Sequence, residues 1–169
     1  MTNFREVALP TGVSGRLFLH SMPGRHEALV EVWAQVHDQV VSAIVNLAPD
    51  DEVRKKSPEY GKALAEATVP CEVWPLAVPD FAAPTDDSAF GQLVRQVASA
   101  LRDGKAIMVH CGAGIGRTGT LAVAVLRALG SPAAEARRVV KVAGSGPEVQ
   151  SQEDALRRFE ASLKLDPTG

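Results

Sequence analysis

Short, nearly continuous apolar runs alternate along the chain with longer stretches in which apolar residues recur every three or four positions. The runs RLFLH (16–20), VVSAIVNL (40–47), 69–76 and AIMVH (106–110) predict strands, and VVSAIVNL suits a strand buried on both faces. Leu29, Val32, Trp33 and Val36 predict a helix over 27–39 with one apolar face. Phe90, Leu93, Val94, Val97, Ala98 and Leu101 predict another, ended by Gly104. A further helix fits 117–129 with Gly130 as its stop, and Ser131 and Pro132 read as N-cap and first-turn proline of the next. GSGP at 144–147 interrupts, and Leu156, Phe159 and Leu163 mark a last amphipathic helix. Residues 49–67 are polar, carry Pro58 and Gly61, and predict one or two short helices. Pro75, Pro79 and Pro84 make 77–87 a loop. This alternation predicts an α/β fold over residues 1–169 as a single domain. Its sheet is mostly parallel, has four or five strands and is flanked by helices.

Composition narrows the function more than the fold. A chain of 169 residues and 17.9 kDa holds one ordinary core, so one site is sought. A net charge of −2 and a pI near 6.1 argue against a nucleic-acid partner. Two cysteines, Cys71 and Cys111, are too few for a disulfide scaffold or a four-cysteine zinc site. His20, His26 and His37 show no paired metal-ligand spacing. The longest aliphatic run, LAVAVL at 121–126, is too short to span a bilayer, and MTNFREVALP lacks the apolar core of a signal peptide. The expectation is a soluble, cytoplasmic protein with no membrane partner.

The chemistry concentrates in HCGAGIGRT, His110 to Thr118, between a predicted strand and a predicted helix. Gly112, Gly114 and Gly116 let the backbone curl so that successive N–H groups, with those of Ala113 and Ile115, face one point. The following helix turns its positive end on the same point. Such a nest holds a tetrahedral oxyanion and favours the thiolate of Cys111. Arg117 can return to the nest and clamp two phosphate oxygens with its planar fork. A thiolate beneath a clamped phosphate suits phosphoryl transfer through a cysteinyl-phosphate, which needs neither metal nor cofactor. Thr118 is placed to hydrogen-bond the sulfur, and His110 to fix loop backbone. A GxGxxG spacing (Gly114, Gly116, Gly119) also exists, but the acidic residue that a dinucleotide fold needs falls at Glu135 in a predicted helix. A Walker A loop fails on spacing and on Arg117 in place of Lys.

These residues resemble the cysteine-dependent protein tyrosine phosphatase superfamily, whose signature HC-x5-R-[ST] is matched by His110, Cys111, Arg117 and Thr118. AGIGR is similar to the tyrosine-specific branch, while the short chain looks more like the compact dual-specificity branch. The resemblance implies an acid on a mobile loop, and VPDFAAP (78–84) resembles the family's WPDxGxP, with Val78 for Trp and Ala82 for Gly. Asp80 is the candidate acid. Asp86 and Asp87, its rivals, stand where they would cap the next helix. The family also carries a water-positioning glutamine in a late loop. EVQSQ (148–152) fits in two registers, with Gln150 or Gln152 in that role. Asn46 would hold loop backbone. Arg25 would be a solvated rim residue or a contact for an anionic substrate. Cys71 would be a small buried residue or a redox partner of Cys111.

The implied substrate is a phosphorylated protein or peptide, with phosphotyrosine first. A small or inositol phosphate monoester is the alternative, disfavoured because no basic residue precedes Arg117 within the signature loop. A non-catalytic phosphate-binding module is the alternative of another class, and retention of Cys111, Arg117 and Asp80 counts against it.

Overall fold

A computed structural model describes residues 3–165. The chain runs β1 (Arg5–Val7), β2 (Arg16–His20), α1 (Leu29–Asp38), β3 (Val41–Asn46), α2 (Asp50–Lys56), α3 (Pro58–Ala65) and β4 (Glu72–Pro75). It continues α4 (Asp87–Arg102), β5 (Ala106–His110), α5 (Gly116–Ala128), α6 (Ala133–Val142) and α7 (Gln150–Leu165). The strands form one sheet in the order β1-β2-β5-β3-β4. β2, β5, β3 and β4 are parallel, and β1 pairs antiparallel with β2.

The period-two alternation of strand side chains divides the core into layers. Leu17, Leu19, Ala43, Val45, Ile107 and Val109 face one side, against buried residues of α4 to α7 such as Val94, Leu101, Leu121 and Leu156. Phe18, Ile44 and Met108 face the other, against Val32 and Val36 of α1. A third cluster, with Met22, Val53 and Tyr60, extends this second side beneath α2 and α3. α5 is buried at every residue from Gly116 to Leu126. Each large aliphatic side chain so buried contributes about 1.5–3 kcal/mol, which makes α5 a rigid mount for the loop before it.

Strand register then sets the site. His20, Asn46 and His110 pair at one level across β2, β3 and β5, so their following residues share one rim. The rim is stitched by backbone bonds: Met22 N–H donates to Gly112 O (3.1 Å), Leu47 N–H to His110 O (3.0 Å) and Val78 N–H to Leu47 O (3.0 Å). Three loops are thereby held side by side.

Several expected boundaries change. Val40 is not strand but a turn residue with φ 52°, and the pairing with β5 skips Ser42 before resuming at Ala43. Ser131 does not cap α6: Pro132, extended at φ −58° and ψ 149°, stands at the N-cap, and no side-chain cap is made. The third expected strand, 69–76, shortens to β4, where Pro75 is tolerated because β4 is an edge. β1 was not anticipated, and it brings the sheet to five strands. Among the described residues no helix is long and apolar enough to cross a membrane.

Candidate active site

Cys111 follows the last residue of β5, and the loop 111–115 delivers the chain to α5 at Gly116. The sulfur is buried and accepts the Gly114 N–H at 3.3 Å. Gly114 has φ +75°, and a Cβ there would run into the backbone carbonyl of His20, so the loop lies pressed against the end of β2. At the other end of the loop, Ile115 O accepts from Gly119 N–H (2.8 Å) and Gly146 N–H (3.2 Å).

His110 is fully buried. Its Nδ1 lies 3.0 Å from Cys111 O, and its Nε2 lies 2.8 Å from Tyr60 Oη. A carbonyl only accepts, so Nδ1 carries the proton and Tyr60 donates its hydroxyl hydrogen to Nε2. Burial holds the imidazole neutral, down to about 3, and pushes the Tyr60 hydroxyl above its ordinary range. His110 therefore braces the backbone at Cys111.

Arg117, only 5% exposed, has both terminal nitrogens engaged. Nη1 donates to Glu52 Oε2 (2.8 Å) and Val78 O (2.7 Å), and Nη2 to Glu52 Oε1 (2.8 Å) and Asp80 Oδ1 (3.0 Å). Burial would lower the guanidinium, but Glu52, Cys111 and Asp80 outweigh it and raise it. Glu52 comes from α2 and also accepts from Lys56 Nζ at 2.7 Å. Burial alone would raise the Glu52 carboxyl, but its bonds to Arg117 and Lys56 prevail and hold it at about 2. Glu52 and Lys56 were not singled out in the sequence. The available signal was the need of a buried arginine for a carboxylate partner.

Asp80 lies on the loop between β4 and α4 with its side chain 48% exposed. Its Oδ1 also accepts Phe81 N–H (3.0 Å), and its Oδ2 lies 3.5 Å from Lys56 Nζ. Phe81 adopts φ 56° and is 64% exposed. Gln152, buried in the first turn of α7, donates to Ala82 O (3.0 Å) and accepts Glu148 N–H (2.8 Å). Gln150 is exposed and donates to Asp154 (2.9 Å) on the far side of that turn. Asp86 caps α4 through Ala89 N–H (2.9 Å), and Asp87 pairs with Arg158 (2.9 Å). A cavity of about 240 Å³ is lined by Cys111, Arg117, Asp80, Gln152, Lys56 and Arg25 among others. It can seat a tetrahedral oxyanion over the sulfur, between a guanidinium and a carboxylate.

One expectation parts from this geometry. Thr118 Oγ1 is buried with no hydrogen-bond partner among the described residues, and the sulfur takes the Gly114 N–H in its stead. Of the two readings of Cys71, the geometry favours the small packing residue: it is a partly buried free thiol packed against the core layer of Phe18 and Met108, whereas Cys111 belongs to the layer of α4 to α7. Burial pushes the Cys71 thiol up to about 11. Asn46 Oδ1 accepts Ala48 N–H (3.0 Å) and so holds the turn after β3.

The chain is similar in structure to Tk-PTP in a glycine-to-alanine mutant form, with 30% identity over 91% of this chain and 95% of that one and a TM-score of 0.71. It also superposes on kinase-associated phosphatase bearing serine at the catalytic-site cysteine (15% identity, 98% and 99% coverage, TM-score 0.78). A third neighbour is PTPMT1 in complex with PI(5)P (19% identity, 88% and 92% coverage, TM-score 0.71). The family described as "Polymorphic toxin system, DSP-PTPase phosphatase" matches residues 20–131, the stretch from the end of β2 through α5. The chain belongs to that family of dual-specificity, tyrosine-phosphatase-like phosphatases.

Proposed function

We propose that this phosphatase hydrolyses phosphate monoesters through a cysteinyl-phosphate, with phosphotyrosine in protein as its substrate and the chain acting as one catalytic domain. The observation that carries the reading is the convergence of Cys111, Arg117 and Asp80 on one small cavity. Cys111 Sγ attacks phosphorus, the S–P bond forms as the P–O bond to the leaving group breaks, and Asp80 gives its proton to the leaving oxygen. Water then attacks phosphorus, its proton passes to Asp80, and the S–P bond breaks to release phosphate. Gln152 holds that water, since Gln150 lies outside the cavity lining. Loop N–H groups and Arg117 stabilise the phosphoryl group in both steps.

Before substrate arrives, four acceptors occupy the two terminal nitrogens of Arg117, and Nε–H is the donor they leave over. A phosphate oxygen bound at Nε–H and a terminal nitrogen displaces the acceptor at that nitrogen. Asp80 is the half-exposed member, and its release from Nη2 frees the acid to meet the leaving oxygen. Phe81, exposed beside Asp80, offers a face for an aromatic leaving group, which supports phosphotyrosine. The second reading, a substrate bearing further anionic groups, is favoured by Arg25 and Lys56 in the cavity lining, outside the signature loop. The neighbour PTPMT1 was crystallised with PI(5)P.

Hydrolysis of p-nitrophenyl phosphate with EDTA present, wild type against Cys111→Ser, tests the mechanism. Activity in the first and none in the second is expected, and wild-type inertness from pH 5 to 8 would overturn it. Phosphate release from a phosphotyrosine peptide against PI(5)P then decides between the substrates.

A further inference from the structure

Arg5 stands on β1, and its guanidinium reaches behind the signature loop. Nη2 donates to Gly114 O (2.8 Å), while Nη1 donates to Ala143 O (2.7 Å) and Ser145 Oγ (2.9 Å). Ser145 Oγ donates in turn to Gly114 O at 2.6 Å. Both lone pairs of one loop carbonyl are therefore engaged. The peptide joining Gly114 to Ile115 is planar and trans, so its N–H points opposite its C=O. With the carbonyl drawn towards Arg5 and Ser145, the Ile115 N–H is turned away from them, to the inner side of the loop. The Gly114 N–H already points at Sγ. We propose that Arg5, with Ser145, is a positioning residue for the phosphate cradle. It locks the Gly114–Ile115 peptide with its N–H towards the phosphoryl group and keeps a fixed positive charge behind Cys111.

This rests on reading the loop as a phosphate cradle, and it assigns a task to a residue outside the 20–131 stretch. Burial lowers the Arg5 guanidinium and the charge of Cys111 raises it, so the two groups interact electrostatically. A residue serving only to pin β1 to the loop after α6 would need its bonds to Ala143 and Ser145 but not the bond to Gly114. A cation set behind the loop stabilises both a thiolate and an incoming dianion, and a locked peptide spares the cost of ordering the cradle at each binding event.

The test uses Arg5→Lys, Arg5→Gln and Ser145→Ala in the full chain. Inorganic phosphate binding is measured by calorimetry, and iodoacetamide alkylation of Cys111 is followed at pH 6 with and without phosphate. Arg5→Lys keeps the charge and loses the fork, so phosphate affinity falls about tenfold while the alkylation rate holds within about twofold. Arg5→Gln loses both, and both readouts fall. Ser145→Ala weakens phosphate binding and leaves alkylation unchanged. Phosphate affinity within about twofold of wild type in folded Arg5→Lys and Ser145→Ala would overturn the proposal and leave Arg5 as an anchor of β1. Those two variants decide the matter if Arg5→Gln does not fold. A wild type that neither binds phosphate nor gains protection from it would overturn the cradle reading itself, and the proposal with it.

Discussion

Glu52→Gln removes one charge from a site where three hydrogen bonds from two cations depend on it. Gln keeps the shape of the side chain but cannot accept two charge-assisted bonds from the Arg117 fork and a third from Lys56. The depression of the Glu52 carboxyl from 4.5 to about 2 is worth about 3 kcal/mol at face value. The Glu52 side chain is 11% exposed but sits beside an open cavity, and solvent screening reduces the figure to about 2 kcal/mol. For a chain of this length that lowers Tm by about 4–8 °C. The group's folded value is depressed, so its contribution is complete above the unfolded value of 4.5 and is lost as pH falls towards 2. The stability gap between wild type and Glu52→Gln, measured by urea unfolding, is therefore constant from pH 5 to 8 and narrows below 4.5. Arg117 also loses the bonds that orient its fork, and kcat/KM falls about 10–100-fold. A folded Glu52→Gln with stability within about 0.5 kcal/mol of wild type and kcat/KM within about threefold would refute the argument that Glu52 sets Arg117.

Two further outcomes are expected. Asp80→Ala slows phenyl phosphate about 100-fold and p-nitrophenyl phosphate only a few-fold, because the nitrophenolate leaves without a proton; equal losses, read from kcat on both esters, would remove Asp80 as the acid. Burial holds His110 neutral down to about 3 against 6.5 when unfolded, and His20 is lowered in the same direction. Stability thus falls with acid below pH 6.5, by about 1.4 kcal/mol per pH unit for His110 alone. Urea unfolding at pH 6.5 and pH 5 measures that loss of about 2 kcal/mol, and a flat profile would contradict it.

What could be read in the sequence was what contiguous residues decide. The strand AIMVH, the signature loop and the helix after it are adjacent in the chain, so their patterns point to one place without knowledge of the fold. Asp80 was legible because prolines on both sides leave it no regular element to belong to. The glutamines were ambiguous for a geometric reason. Residues two apart on a helix point about 200° from each other, so only the phase of α7 against the sheet separates Gln152 from Gln150. β1 was hidden because three residues with one buried side chain, Val7, make no alternating pattern.

Glu52 was hidden for a different reason, and it bears on how such sites are read. Its partner Arg117 lies 65 positions away, while its local neighbour Lys56 makes the ordinary i,i+4 pair of a solvated helix. Nothing nearby distinguishes that pair from Arg138 with Glu135, which is an exposed pair. The difference is made by register: the alignment of His20, Asn46 and His110 sets the start of α2 beside the start of α5, so the face of one short helix meets the fork of the other. The loop itself is tuned to that meeting, since a Cβ at Gly112 would come within 2.6 Å of the Glu52 carboxylate. The glycine thus does more than let the loop curl. It leaves room for the carboxylate that orients the arginine, and the sequence shows only the room.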